Sequence, residues 1–429
     1  MIVIFVEEVS ERLVYVFDFI FNDRKIAYRI TNDPIYYEVL EGFKFNYSNK
    51  NFETGLQISP SEVLFSEEII EYQLDKTLFY QEYCLSFNNI VDPIASIFFI
   101  LTRYEEYLIE KRDIHERFEA SNSIQTRFNW LEQCICDRWC EDLISYMEKE
   151  YQKVIPSIEI PITFRPTFDI DNVRAYEWKE GIRSWIGSIK DRWKKNHTSI
   201  QMRADVTQGK LKDPYNTFEE ILALKNLKIE PIVFWLIGDF AKYDRNVSSL
   251  DTRHITLIQD IASNIQVGLH PSYKSNFSTF YLEKEVDRLR EILEQDVLLS
   301  RQHYLKLILP FTYRNLQQYN IKEDYSMGYA SHVGFRAGTA RPFLFFDLPK
   351  NSISNIKVHS FCYMDVTFLD YLNYSISDSK KKVEELFQEV STYGGEFIPL
   401  WHNESISNFG RWKGWKELYD YTIDLHTNS

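Results

Sequence analysis

Residues 162–171 read ITFRPTFDID, an apolar run that ends in two aspartates with one residue between them. The apolar part predicts a strand, Ile162–Phe168, that is buried on both faces of a sheet, because such strands are almost continuously hydrophobic. In an extended chain, side chains two residues apart point the same way. Asp169 and Asp171 are therefore expected to direct both carboxylates into one site, although an aspartate-rich turn would also explain them.

Short apolar segments alternate with amphipathic ones along the rest of the chain. The predicted elements are helix 216–226, strand Ile232–Ile237, helix 252–264, strand Gln266–Leu269, helix 281–293, strand Val297–Ser300, helix 305–318, helix 377–393 and strand Phe397–Leu400. This alternation is typical of parallel strands covered by helices. It predicts an α/β fold, and it is compatible with a closed barrel without requiring one.

Polar side chains follow these strands at equivalent positions. His270 follows strand Gln266–Leu269, Arg301 and His303 follow the next strand, and His402 follows the last one. Parallel α/β folds carry their active sites at the carboxyl ends of their strands. A single histidine or aspartate in such a place is commonly structural. The recurrence of ligand and acid–base side chains favours one shared site.

The ordered motifs resemble those of the polysaccharide deacetylases of the NodB-homology type, also called carbohydrate esterase family four. The matching segments are TFDID at 167–171, GLHPSY at 268–273, RQHY at 301–304 and LWHN at 400–403. The resemblance covers about residues 160–405 and keeps the order of the family's motifs. It implies a distorted (β/α) barrel over residues 156–429.

The resemblance also implies a role for each motif residue. Asp169 corresponds to the general base, Arg301 to the arginine that pairs with this base, and His402 to the general acid. Asp171 and His270 correspond to ligands of a divalent metal ion, for which we expect zinc.

The chain departs from the family at two positions. Lys274 stands where relatives carry a second metal-binding histidine, and a protonated ammonium group cannot coordinate a cation. Because catalytic zinc usually has three protein ligands, we expect His303 to be the third. Asn403 stands where many relatives have aspartate, which leaves open the partner that orients His402.

The predicted function is that of a metal-dependent hydrolase that removes an acyl group, in the first place N-acetyl, from a carbohydrate. The alternative is a carbohydrate-binding protein on the same scaffold that has lost hydrolysis, and Lys274 is the residue that favours it. A third reading is hydrolysis of a C–N bond outside a sugar, as in some relatives. The fold by itself does not decide between them.

Residues 1–155 are predicted to form a separate N-terminal α+β domain. The boundary follows helix 130–152, where Pro156 and Pro161 interrupt helical structure. The other predicted elements are the strand-like segments Ile2–Val6 and Leu13–Phe21 and the apolar helix Pro93–Tyr107. The polar string 103–117 is expected to be an ion-paired helix end and loop. This part resembles a domain of unknown function often found ahead of deacetylase-like domains, and we expect it to serve docking rather than catalysis.

The 429 residues carry a formal net charge of −14, which argues against non-specific nucleic-acid binding. The short basic stretch 190–195 is expected to be a solvated face. Cys134, Cys136 and Cys140 could hold a metal ion, but their apolar surroundings favour buried thiols.

The N-terminal apolar run is too short for a secretion signal, and no run is long enough to span a membrane. We therefore expect a cytoplasmic protein, and the oligomeric state is not predicted.

A few polar residues outside the motifs have more than one interpretation. Arg336, between two glycines, could hold substrate or bridge two loops. Asp324 is expected to lie in a turn. His332 and His359 lack a place at a strand end and are expected to be structural or exposed.

Overall fold

The computed structural model describes residues 1–178 and 197–427, and the basic stretch 190–195 lies outside this part. The first 155 residues mix strands and helices, as predicted. Their strands are β1 (Ile2–Val6), β2 (Tyr28–Thr31), β3 (Phe43–Tyr47), β4 (Leu56–Ile58), β5 (Leu74–Leu78), β6 (Tyr83–Phe87) and β7 (Ile90–Val91). Their helices are α1 (Glu11–Phe17), α2 (Pro34–Val39), α3 (Pro93–Leu101), α4 (Ile124–Arg127) and α5 (Ile135–Tyr151). A parallel sheet has the order β2-β1-β3-β4, and β5-β6-β7 form an antiparallel meander.

The segment Leu13–Phe21, which was expected to be strand-like, is helical. α1 covers its first part, and a π-helical turn, Asp18–Asn22, continues it. Ser10 caps the helix by accepting a hydrogen bond from the backbone N–H of Leu13 at 3.1 Å, which satisfies a donor in the first turn. A short apolar run has no clear period, so hydrophobicity alone does not separate a strand from a buried helix.

The remaining residues form the predicted α/β unit. Its strands are β8 (Ile162–Phe164), β9 (Thr167–Ile170), β10 (Ile232–Trp235), β11 (Gln266–Leu269), β12 (Leu299–Ser300), β13 (Glu323–Met327), β14 (Phe343–Asp347), β15 (Ser352–Ser360), β16 (Tyr363–Met364), β17 (Gly395–Phe397) and β18 (Pro399–His402). Its helices are α6 (His197–Thr207), α7 (Phe218–Ala223), α8 (Thr252–Ala262), α9 (Thr279–Leu293), α10 (Phe311–Gln318), α11 (Ile376–Tyr393) and α12 (Lys416–Thr427).

The central sheet has nine strands in the order β14-β15-β13-β12-β11-β10-β9-β18-β16, and β8 pairs separately with β17. All neighbours in the central sheet are parallel except β14 and β15. The chain that leaves β15 connects strands near the two ends of this order. Phe361 N donates to the carbonyl oxygen of Met327, the last residue of β13, at 3.1 Å, and Cys362 N donates to that of Ile398, the residue before β18, at 3.0 Å. The sheet therefore curls into a distorted barrel.

The structure corrects three details of the predicted pattern. The strand expected over residues 162–168 is split into β8 and β9 at Pro166, because proline has no N–H to give to a sheet. The helix expected over residues 305–318 begins only at Phe311. Asp324, expected in a turn, lies inside β13, where it is fully buried and accepts a hydrogen bond from Ser300 Oγ at 2.8 Å.

The N-terminal part and the barrel share one hydrophobic core. A single cluster of buried side chains contains residues from both parts. Phe346 of β14, for example, packs against Tyr15 at 5.1 Å and against Phe98 at 5.3 Å between ring centroids. The boundary near residue 155 stays a prediction, but burial of this kind makes the two parts depend on each other for stability.

Buried ion pairs cross the same interface. Asp137 of α5 lies 3.1 Å from the guanidinium of Arg24 and 2.9 Å from that of Arg341. Arg336, which is 1% exposed, donates to both carboxylate oxygens of Glu106 at 2.9 Å and 2.6 Å. Of the two interpretations of Arg336, the structure supports the bridge between loops.

The remaining candidates outside the motifs are structural. The cysteines at positions 134, 136 and 140 are buried and free. His359 is buried, and its Nδ1 lies 2.5 Å from Glu396 Oε2. None of the helices within the described ranges combines the length and the apolar character that a bilayer crossing requires.

Candidate active site

The carboxyl ends of neighbouring barrel strands open into a cavity of 440 Å³. Asp169 and Asp171 reach it from β9, His270 from β11, His303 from β12 and His402 from β18. With β10 between β9 and β11, these strands are consecutive and parallel in the sheet, so their ends meet at one rim. The sheet therefore brings together the side chains that the sequence placed after separate strands.

Asp171 lies among three imidazole rings at the floor of the cavity. Its Oδ1 is 3.3 Å from His270 Nε2, and its Oδ2 is 3.3 Å from His303 Nε2. His402 Nε2 is farther away, at 3.8 Å from Oδ2. One ligand atom each from Asp171, His270 and His303 lie within 4.8 Å of one another, which is a separation that a single cation can bridge.

Backbone and carboxylate acceptors fix both of these imidazoles. His270 Nδ1 donates to the carbonyl oxygen of Arg301 at 2.6 Å. His303 Nδ1 donates to Asp244 Oδ1 at 2.9 Å. A proton held on Nδ1 leaves the lone pair on Nε2, so both rings present an unprotonated nitrogen to Asp171. Metal-binding histidines are held in this way as a rule.

The charges at the site favour an ionised carboxylate. Burial would raise the pKa of Asp171, but His303 and His270 hold it well below its usual range. Burial lowers the pKa of His303, whereas Asp171 and Asp244 outweigh this effect and raise it to about 9. A proton and a metal ion compete for the same nitrogen of His303, and a strongly basic nitrogen is also a good metal ligand.

The residues present fit a divalent metal ion. Asp171 Oδ1 is buried and has no hydrogen-bond partner among the described residues, an arrangement that is costly for a carboxylate unless a cation is close by. Two imidazoles and one carboxylate form a ligand set of catalytic zinc sites, which keep a further position open. Lys274 does not interfere, because it is exposed and its Nζ lies over the Tyr281 ring at 5.6 Å.

Arg301 forms an ion pair with Asp169 and orients its carboxylate. Arg301 is fully buried, and its Nη1 donates to Asp169 Oδ1 at 3.1 Å and to Thr167 Oγ1 at 2.7 Å. Burial lowers the pKa of Arg301, while Asp169 acts in the opposite direction. The other oxygen, Asp169 Oδ2, lies 3.7 Å from His270 Nε2. Asp169 therefore faces the same point as Asp171 but keeps an oriented carboxylate of its own.

His402 has a buried carboxylate partner, Asp365. Its Nδ1 lies 2.9 Å and 3.2 Å from the two Asp365 oxygens, and its backbone N–H donates to the second of them at 2.7 Å. Burial lowers the pKa of His402, but Asp365 outweighs this effect and raises it to about 10. Asn403 instead donates to the backbone oxygens of Asn172 and Tyr215, each at 2.9 Å.

The turn after β12 has an unusual backbone. Tyr304 and Leu305 have φ values of 62° and 53°, which lie in the left-handed region that costs side-chain-bearing residues energy. Arg117, from the N-terminal part, donates from Nη1 to the Tyr304 carbonyl at 2.9 Å. Lys306 Nζ lies 2.6 Å from Glu116 Oε2. The N-terminal part thus supports the turn that carries His303, and the docking role expected for it stays a prediction.

Known proteins resemble both parts of the chain. Residues 2–152 match a family of unknown function, DUF7033. No curated protein matches the sequence. Similar solved structures include the polysaccharide deacetylase from Bacillus cereus (11% identity, TM-score 0.30, covering 62% of this chain and 87% of that chain). They also include a family 4 carbohydrate esterase from Streptomyces lividans in complex with acetate (12%, 0.28, 62% and 86%) and the Puue allantoinase (10%, 0.38, 63% and 85%).

The family match confirms the expected resemblance of the N-terminal part to a domain of unknown function. The motifs resemble those of deacetylases, and deacetylases also occur among the similar solved structures. The similarity to those structures is one of fold. The barrel itself is established by the strand pairing described above. Activity is a matter of the side chains at the site, because one fold hosts many reactions.

Two supporting side chains of the site have no role assigned from the sequence: Asp244 goes unnoticed, and Asp365 stands out only as part of a polar pair with Met364. Asp244 lies in the loop after β10, well beyond the strand end at Trp235, and no local pattern marks it. Asp365 directly follows β16, so it stands at a strand end like the motif residues. The strand before Asp365 could have marked it as a site residue. A strand of two residues is too short to show a hydrophobic period, so it could not be predicted.

Proposed function

We propose that the protein is a metal-dependent hydrolase that removes an acyl group, in the first place N-acetyl, from a carbohydrate. The observation that carries this proposal is a single cavity with three chemical parts. The ligand set is Asp171, His270 and His303, and the two proton-transfer groups are Asp169 and His402. Metal-assisted hydrolysis of an amide needs all three.

The bound ion, for which we propose zinc, would supply Lewis acidity toward the acyl carbonyl and the attacking water. Asp169 takes the proton of that water while Arg301 keeps its carboxylate oriented. His402 gives a proton to the nitrogen as the C–N bond breaks, so that acetate and a free amine leave. A pKa of about 10 keeps His402 protonated at neutral pH, as a general acid requires.

The test is acetate release from N-acetylated amino-sugar oligomers by the zinc-reconstituted protein. We expect release by the parent and none above background by Asp169→Asn, in which the amide cannot accept a proton. His332→Ala is a matched control, since His332 is half-buried, bonds Ser331 Oγ at 2.9 Å and does not line the cavity. Full activity of Asp169→Asn would show that another group is the base.

A carbohydrate-binding protein without hydrolysis is the alternative. Lys274 favoured it at the sequence level, but this residue lies outside the cavity, and His303 lies next to Asp171 instead. Binding of oligosaccharides without acetate release from any of them would support this alternative. Acetate release from acylated amines but not from sugars would support hydrolysis of a non-sugar C–N bond.

The proposal includes a cytoplasmic location. All five cysteines are free and buried, a pattern that suits a reducing compartment. Fractionation of the cells that make the protein tests this point, and recovery of the protein outside the cytoplasm would contradict it.

A further inference from the structure

The mouth of the catalytic cavity is lined with aromatic rings. Tyr243 and Tyr304 both line it, with ring centroids 5.4 Å apart. Tyr273 packs behind them at 4.4 Å and 5.3 Å, and His115 of the N-terminal part packs on Tyr304 at 4.8 Å. A tyrosine offers a wide apolar face with a polar rim, which matches the faces of a sugar ring.

Cationic side chains line the same mouth. Arg117, Lys242 and Arg245 all contribute to the cavity wall. At His115, which packs on Tyr304, burial lowers the pKa; the nearby cations Arg117, Lys306 and Lys242 lower it further, and Asp113 acts in the opposite direction. In a chain with a formal net charge of −14, this rim is a local region of the opposite sign.

Some of this charge is already neutralised. Arg117 forms an ion pair with Asp113 at 2.7 Å, and Lys306 is paired with Glu116 at 2.6 Å. The side chains of Lys242 and Arg245 are exposed and have no ion pair within residues 1–178 and 197–427. Lys242 Nζ lies over the ring of Tyr243 at 4.6 Å, which places one surplus charge directly beside the aromatic surface.

The acids that line the cavity are more buried than Lys242 and Arg245, with side-chain exposures of 3% for Asp169 and 24% for Asp171. Among the described residues, Asp169 and Asp171 are the carboxylates that line it. Asp169 is paired with Arg301, and Asp171 belongs to the ligand set. An anionic group at the mouth would therefore meet uncompensated cations without facing an uncompensated carboxylate, an arrangement that attracts anions to a cleft.

We propose that the mouth of this cavity binds an anionic group, a carboxylate or a phosphate, carried by the carbohydrate substrate, next to a sugar ring stacked on Tyr243 and Tyr304. The inference rests on the proposed function, because it names the substrate class of the same cavity. Lys242 and Arg245 are its specificity-determining residues. The enzyme then acts on acidic sugars in preference to neutral ones.

Titration calorimetry with the full chain tests the inference, because binding can be measured whether or not the ligand is hydrolysed. The first pair of ligands is a neutral N-acetylglucosamine tetrasaccharide and a tetrasaccharide in which N-acetylglucosamine alternates with glucuronate. The second pair is N-acetylglucosamine and its 6-phosphate. We expect the anionic member of at least one pair to bind about tenfold more tightly at low salt, as two modest charge contacts allow. The difference should shrink at high salt, and the pair that shows it distinguishes carboxylate from phosphate.

The double variant Lys242→Gln/Arg245→Gln should bring the affinity for the anionic ligand close to that for its neutral partner. The control is Lys228→Gln/Lys413→Gln, which removes two exposed lysines away from the cavity and should keep the preference. Equal affinities within both pairs, or a preference that survives loss of Lys242 and Arg245, would overturn the inference. An anionic preference without any acetate release would leave the binding site standing while the proposed hydrolase fails. Acetate release without such a preference would support the proposed hydrolase and overturn the anion-binding site.

Discussion

Substitution of Asp244 by asparagine should weaken metal binding although Asp244 does not face the metal site. Asp244 is 1% exposed, and its Oδ1 accepts the Nδ1 proton of His303 at 2.9 Å. The same oxygen accepts Tyr273 N at 2.8 Å, which an amide oxygen can still do, so the loop should keep its shape. What is lost is the negative charge that holds His303 in the tautomer with a free Nε2.

Loss of such a partner typically lowers metal affinity by about 10- to 100-fold, or about 1.4–2.7 kcal/mol. Cobalt titration followed by absorption, with zinc competition, measures this change. Asp365→Asn is a matched control, because it makes the same substitution beside His402, which is not one of the expected ligands; its metal affinity should stay within a factor of about two while activity falls. Parental affinity in Asp244→Asn would refute the reasoning.

Three further outcomes are expected. Asp169→Asn should keep the metal affinity of the parent while losing hydrolysis, which combined cobalt titration and acetate assay can check; joint loss of both would mean that Asp169 is a ligand. Burial raises the pKa of Glu285 from 4.5 to about 7, so the protonated carboxyl stabilises the fold below pH 4.5 and this stability is lost as the pH rises through 7. Glu285→Gln should therefore be more stable than the parent by up to about 3 kcal/mol at pH 8 and nearly equal to it at pH 4.5, as measured by denaturant unfolding; an equal difference at both pH values would contradict the assignment. Residues 156–429 expressed alone should be insoluble, because their core continues into the N-terminal part; a soluble, cooperatively melting fragment would disprove this dependence.

The parts of the site that could be predicted are those that local geometry fixes. Asp169 and Asp171 share a site because the strand has a period of two. His270 directly follows β11, His303 lies three residues past β12, and His402 is the last residue of β18. Parallel pairing alone then brings these positions to one rim. The position of His303 next to Asp171 could also be inferred, since it needs only the position of a strand end.

The parts that could not be predicted depend on contacts between distant segments. Asp244 reaches His303 from a loop 59 residues away in sequence, and Arg117 reaches Tyr304 across 187 residues. No local spacing encodes such distances. Asp324 was misplaced for a related reason. β13 has the sequence EDYSM, and a buried aspartate is acceptable there because Ser300 of the neighbouring strand and Ser326 of β13 itself donate hydrogen bonds to it.

The central claim is that Asp171, His270 and His303 bind one divalent ion. The most direct measurement is a zinc titration of the parent, His270→Ala, His303→Ala and the control His332→Ala, each stripped of metal beforehand. The account predicts one ion per chain in the parent and in His332→Ala, and a loss of affinity of at least about tenfold in both other variants, since ligand loss exceeds the loss of a supporting partner. A parent without a bound ion, or unchanged affinity in His303→Ala, would contradict it.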